Sequence, residues 1–166
     1  MTISMYQASA PVFDKMLANL SAILGKAGTW AEARKIDPAV LLSARLAPDM
    51  FALTRQVQIA CDFAKGTCAR LAGLEPPKFE DNEASFADLQ ARIAKTRQYV
   101  ATIKAAQIDG SEDRDIKFKA GPRELEFKGQ AYLTGFALPN FYFHHTVAYA
   151  ILRHNGLELS KVDYIG

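Results

Sequence analysis

Asn140 and His144 stand one helical turn apart in the segment Leu138-Pro139-Asn140-Phe141-Tyr142-Phe143-His144. With Leu133, Ala137, Val147, Ile151 and His154 they recur three or four residues apart, the spacing of a helix face turned toward a bundle core. A polar group buried there must find a partner or cost about 1–3 kcal/mol. The pair therefore marks either a structural hydrogen-bond network or a site. In a site, His144 would act as acid–base group or metal ligand, and Asn140 would orient it. A helical metal pair needs a second imidazole three or four positions away. Val147 and Ala148 occupy those positions after His144, and Tyr149 follows His145. His154 lies ten residues beyond His144, about 15 Å along the axis. Any further ligand must come from another helix, where carboxylates are the candidates.

Asp49, Gln56 and Asp62 supply the polar groups of the second helix. Asp49 in a first turn would cap the helix and face its positive end. Arg45 precedes that turn and would either contact an anion or pair with Asp49. Arg55 and Lys65 are spaced to pair with Asp62 on a solvated face. Tyr142, between Phe141 and Phe143, would contact a ligand or pack with its hydroxyl at the surface. These residues predict a polar pocket around Asn140 and His144 that faces Asp49 and Gln56, with Arg45 and Tyr142 at a small-molecule ligand. There is no Gly-rich phosphate loop, nucleophile elbow or HExxH motif.

Four helices must position these groups. The first is expected over Ser4 to Lys26, with its stable part beginning near Ser9 and Gly25 and Gly28 at its end. Trp30 follows in a connection, and Asp37-Pro38 launches a short turn. The second is expected from Pro48-Asp49 to Ala72, where Gly73 and Pro76-Pro77 end it. The third should run from Asp81 or Asn82 to Ala105, burying Phe86, Leu89, Ile93, Val100 and Ile103 beneath a solvated charged face. Asp115 to Lys119 and Glu124 to Lys128 alternate polar and apolar residues around Ala120-Gly121-Pro122-Arg123, the pattern of a β-hairpin. Ile116, Phe118, Leu125 and Phe127 would cover one edge of the bundle, with opposite charges paired across the strands. The fourth helix spans Gln130 to His154, and the tail from Leu157 should pack on the surface.

The bulk properties agree with one mainly α domain over residues 1–166, large enough to need no staples. Twenty basic residues against 18 acidic leave a net charge of +2, with no electrostatic case for nucleic acid or an anionic membrane. The apolar stretch Phe136 to Leu152 is too polar and short for a membrane span. The N-terminus lacks the basic start and apolar run of a signal peptide. Cys61 and Cys68, seven residues apart on one helix, lie about 10 Å apart, too far for a disulfide. A cytoplasmic protein with reduced, buried thiols is expected.

Three segments carry a family resemblance: Arg45-Leu46-Ala47-Pro48-Asp49-Met50-Phe51, Gln56-Val57-Gln58, and Leu138 to His144 followed by Ala148-Tyr149-Ala150-Ile151-Leu152-Arg153. They resemble the bacterial and fungal domain-of-unknown-function family numbered nineteen ninety-three, over nearly the whole chain. That family is grouped with the DinB-like (YfiT-like) metalloenzyme superfamily. The resemblance implies a four-helix bundle with a long crossover before the last helix, a crossover that the hairpin fits, and a homodimer. It also implies a divalent metal held by three histidines, one on the second helix and two on the fourth, that activates a small thiol. The present sequence departs from that pattern, because no histidine precedes His144. His144 is at most one ligand, and the three-histidine site is not present. Two readings remain: a metal-assisted or acid–base transferase acting on a small molecule, or a non-enzymatic ligand-binding or dimerisation module that has lost the metal site.

Overall fold

The computed structural model describes residues 3–166; Met1 and Thr2, the first residues read for a targeting signal, lie outside the described residues. The chain begins its architecture with α1, Ala10–Ala33, which starts after Ser9 and carries Pro11 in its first turn. Ser9 occupies the cap position but makes no capping bond; its hydroxyl donates to Met5 O at 2.7 Å. Gly25 and Gly28, expected at the helix end, lie inside it, and Trp30 is helical too. The apolar stripe simply continues through Ala27 and Ala31, both fully buried. Neither glycine is demanded by its surroundings: a Cβ at Gly25 would lie 3.7 Å from Gln90 Nε2 and one at Gly28 3.9 Å from the Phe86 ring, both ordinary contacts.

The short helix α2, Pro38–Leu42, forms where Asp37-Pro38 predicts it, with Asp37 accepting from the Ala39 amide at 2.9 Å. The second long helix, α3, is Leu53–Leu71 and starts later than Pro48. Pro48 and Asp49 belong to a preceding turn, so Asp49 does not sit in a helical first turn. The third, α4, is Phe86–Thr102, shorter at both ends than expected. Its start is decided by Ser85, whose hydroxyl accepts from the Asp88 amide at 3.1 Å. The crossover holds a one-turn helix, α5, Ala105–Ile108, and the hairpin of β1, Asp115–Ala120, with β2, Arg123–Lys128. Ile116 pairs with Phe127 and Phe118 with Leu125, while Lys117–Glu126 and Asp115–Lys128 form ion pairs at 2.8 and 2.6 Å.

The fourth helix has three parts: α6, Gly129–Tyr132, a π-helical turn, Leu133–Ala137, and α7, Leu138–His154. The tail closes with α8, Lys161–Ile165, which docks on α1 through Asn19 Nδ2 to Tyr164 O at 3.0 Å and the Lys26–Asp163 ion pair. The result is a mainly helical bundle with a two-stranded antiparallel hairpin in the crossover, as expected. Helix α3 packs against both α7 and α4, and α1 lies against α4. This central position explains why α3 buries polar residues such as Gln56, Gln58, Lys65 and Thr67 alongside Val57, Cys61 and Leu71. The core is closed by pairs such as Phe13 and Phe141, ring centres 4.9 Å apart and edge to face. No helix among the described residues is long and apolar enough to cross a membrane.

Candidate functional site

The fourth helix is re-registered by its π turn. Leu138 donates to Leu133 O, five residues back, and Pro139 follows directly. Proline lacks an amide hydrogen and its ring clashes with the carbonyl four residues earlier in a regular helix. The wider π turn accommodates it at the cost of one extra residue. From Leu133 on, the buried residues are Leu133, Ala137, Phe141, His145, Val147, Ala148, Ile151 and Leu152. The apolar members of the expected stripe, Leu133, Ala137, Val147 and Ile151, are buried as expected, but its polar members lie on a flank of the buried face. Asn140 and His144 are half-buried there, and His154 is exposed. Asn140 Nδ2 donates to Phe136 O of its own helix at 2.7 Å, so it does not orient His144 through any bond.

His144 meets Gln56 across the α3–α7 interface: Nδ1 lies 2.7 Å from Gln56 Oε1. Gln56 Nε2 donates to Phe51 O at 3.0 Å. That bond fixes which end of the amide faces the imidazole, and so Oε1 must accept and Nδ1 must carry the hydrogen. The remaining nitrogen, Nε2, holds a lone pair and makes no hydrogen bond among the described residues. The ring is flanked by Phe63, nearly parallel at 6.1 Å, and by Phe143, edge-on at 5.3 Å. Burial, helped by the nearby Arg55 charge, pushes the His144 pKa down to about 4. The imidazole is thus neutral at physiological pH, in one tautomer.

The fully buried histidine is His145, considered from the sequence only as a candidate metal ligand and not as a core residue. Its Nε2 donates to Met16 O at 2.9 Å, and Tyr164 sits edge-on at 4.6 Å. Its Nδ1 is buried without a partner. Burial pushes its pKa down to about 4. His145 faces α1 and α8, away from Gln56.

The other expected site residues are dispersed. Arg45 is exposed and donates to Pro48 O at 3.3 Å rather than to Asp49. Asp49 is exposed and makes no side-chain bond among the described residues. Both ride on the turn before α3, because that helix begins beyond them. Tyr142 is half-buried against Phe141 at 5.6 Å, and burial raises its pKa. Of the proposed pocket, only Gln56 and His144 are brought together by a bond.

Asp62 finds Lys65 at 3.0 Å, as its spacing allowed, but Arg55 pairs with Asp81 instead. Its other partner is Arg92 of α4 at 2.8 Å. The Arg92 side chain is 2% exposed and also binds Asp81 at 3.0 Å and Glu83 at 2.9 Å. Burial opposes charge on Glu83, yet hydrogen bonds from Arg92 and Gln58 hold its carboxyl below the usual range. The charges of α4 are therefore not all an ordinary solvated face. A signal existed: Arg92 and Thr96 fall on the stripe of Leu89, Ile93 and Val100. Cys61 and Cys68 are free and buried, and burial raises both thiols to about 12.

The donors do not fit a divalent metal. His144 offers one nitrogen, Gln56 is committed to the imidazole, and Asp62 to two cations. Among the described residues no group of three or more His, Cys, Asp or Glu is arranged to hold an ion. Cysteine nucleophilic chemistry fails as well, since thiols at about 12 carry almost no thiolate at neutral pH.

The family model described as a domain of unknown function, DUF1993, matches residues 5–165, and the chain belongs to that family. It is also similar to a DinB family member protein from Shewanella denitrificans, known by crystal structure. The two share 43% identity and a TM-score of 0.87, over 97% of this chain and 91% of that one. The DinB-like relationship and the bundle fold follow from this likeness. No curated protein matches the chain.

Proposed function

We propose, from the premise that the chain is a DUF1993 member with a DinB-like fold, that it is a small-molecule-binding bundle in which His144 is a fixed hydrogen-bond acceptor. The observation that carries this reading is the Gln56 amide, which locks Nδ1–H and leaves the Nε2 lone pair free. Phe63 and Phe143 supply apolar walls beside that nitrogen. A ligand bearing a hydroxyl or N–H donor on an apolar body suits this arrangement.

A transferase using His144 as general base is the second reading. A base with a pKa about 4 sits about three units below neutral pH, which costs it about 4 kcal/mol of driving force. Binding is therefore favoured over proton abstraction. We carry two further expectations in the same proposal. Homodimer assembly is carried over from the family resemblance; light scattering that finds a monomer at high concentration overturns it. Cytoplasmic residence is supported by the two free, buried thiols.

Phenol serves as the probe, followed at the His144 ring by NMR. Saturable shifts at Nε2 are expected, and the accompanying shifts at Phe63 and Phe143 should be lost in His144→Ala. A ring that stays unmoved sinks the acceptor role, and a measured pKa near 7 moves the assignment to acid–base chemistry.

A further inference from the structure

Gln56, Phe63 and Arg70 recur every seven residues on α3 and so share one face. Gln56 is accounted for by His144, but Arg70 is not. Its guanidinium carbon lies 4.3 Å from the centre of the Phe118 ring, and Nη1 donates to Tyr132 Oη at 3.2 Å. Tyr132 is fully buried, with Thr67 Oγ1 3.4 Å from its oxygen. Arg70 has no carboxylate partner among the described residues, and its Nε and Nη2 make no hydrogen bond there.

The placement is built into α3. A Cβ at Gly66 would lie 2.6 Å from Arg70 Nη1. Glycine weakens a helix interior relative to alanine. Here its missing side chain is what lets the guanidinium fold back one turn onto Tyr132. Beside it opens a concavity of about 170 Å³, bounded by Phe63, Phe118, Tyr132 and Phe136, with Arg70, Asp62 and the Glu124-paired Lys119 as its charged residues. A cavity of about 150 Å³ accepts benzene, so this one holds a single six-membered ring.

Charge selects the ligand. Asp62 is offset by Lys65 and Arg92, whereas Arg70 is unpaired. An arginine edge with two free donors matches a carboxylate. A quaternary ammonium, the other usual guest of aromatic walls, is disfavoured because Arg70 already occupies the Phe118 face. We propose that this pocket binds a small aryl carboxylate, its ring against the open sides of Phe63 and Phe136 and its carboxylate on the free edge of Arg70. The pocket adjoins the His144 site through Phe63, which stacks on His144, but His144 does not line it.

Benzoate titrated into the isotope-labelled full chain tests this. Saturable shifts are expected at Phe63, Arg70, Phe118 and Tyr132. Arg70→Gln should weaken binding about tenfold or more, the loss of a charge-assisted contact. Gly66→Ala is the second variant, because it favours the helix yet displaces the guanidinium; it should keep or raise Tm and still weaken benzoate. The proposal is overturned by absent or non-saturable shifts, by shifts elsewhere, or by preferential binding of tetramethylammonium. Unchanged affinity in folded Arg70→Gln, or in Gly66→Ala if the former does not fold, overturns it as well.

Discussion

Gln56 Oε1 and His144 Nδ1 lie 2.7 Å apart across 88 residues of chain. One amide thereby sets both the orientation and the tautomer of the imidazole. Replacing Gln56 with Glu places a carboxylate against Nδ1–H. The His144 pKa should then climb from about 4 toward or above the ordinary 6.5. Gln56→Leu instead strands Nδ1–H and the Phe51 carbonyl, for a loss of about 1–3 kcal/mol. Ring titration by NMR and urea unfolding measure the two effects; an unmoved pKa in Gln56→Glu would rule out the contact.

Both histidines should make the fold acid-sensitive in one window. Their folded pKa values, about 4, lie below the 6.5 of the unfolded chain. The unfolded state binds protons first, so stability is fully present above pH 6.5 and is lost as pH falls toward 4. His145, wholly buried, should account for about 2–3 kcal/mol of that loss. His145→Gln should flatten the pH dependence. Tyr164→Ala, which uncovers the ring, should raise its pKa. Urea midpoints measured across this range decide it; a curve equally steep in His145→Gln would contradict the assignment.

Arg92→Leu should destabilise by about 3–5 kcal/mol, because it leaves Asp62, Asp81 and Glu83 without their shared cation. The segment carrying Asp81 and Glu83 should also be cut faster by protease. Removing Glu83 together with Arg92 should recover part of the loss, because Glu83, unlike Asp62 with Lys65 and Asp81 with Arg55, has no other cation among the described residues. Unfolding curves that match the parent would show the network to be energetically idle.

Cys61 and Cys68 should resist iodoacetamide in the native protein and react once urea unfolds it. Their thiols are raised to about 12 by burial and have no solvent path. Rapid alkylation of the folded chain would mean that α3 opens far more readily than its packing suggests.

Much of the fold was legible along the chain. The hairpin declared itself by alternation, because a strand shows its two faces at period two regardless of what covers it. Asp37-Pro38, Gly73 and Pro76-Pro77 marked helix ends through local backbone chemistry alone. That the two thiols are unbridged also followed from their spacing. The errors were of another kind. The first helix outran its glycines because its buried stripe continues through Ala27 and Ala31, and the start of α3 was set by a turn that holds Arg45 and Asp49 away from it.

Sequence by itself determined a helical bundle with a hairpin crossover and a polar spot on its last helix. Which residues make that spot was decided by tertiary structure. One π turn, fitted around Pro139, rotated His145 into the core and left His144 on the flank where Gln56 could reach it. Arg92 likewise became a buried hub only when three carboxylates from other segments converged on it. Local propensity acts within a few residues, whereas the register of a long helix and the pairing of buried charges depend on packing against distant segments.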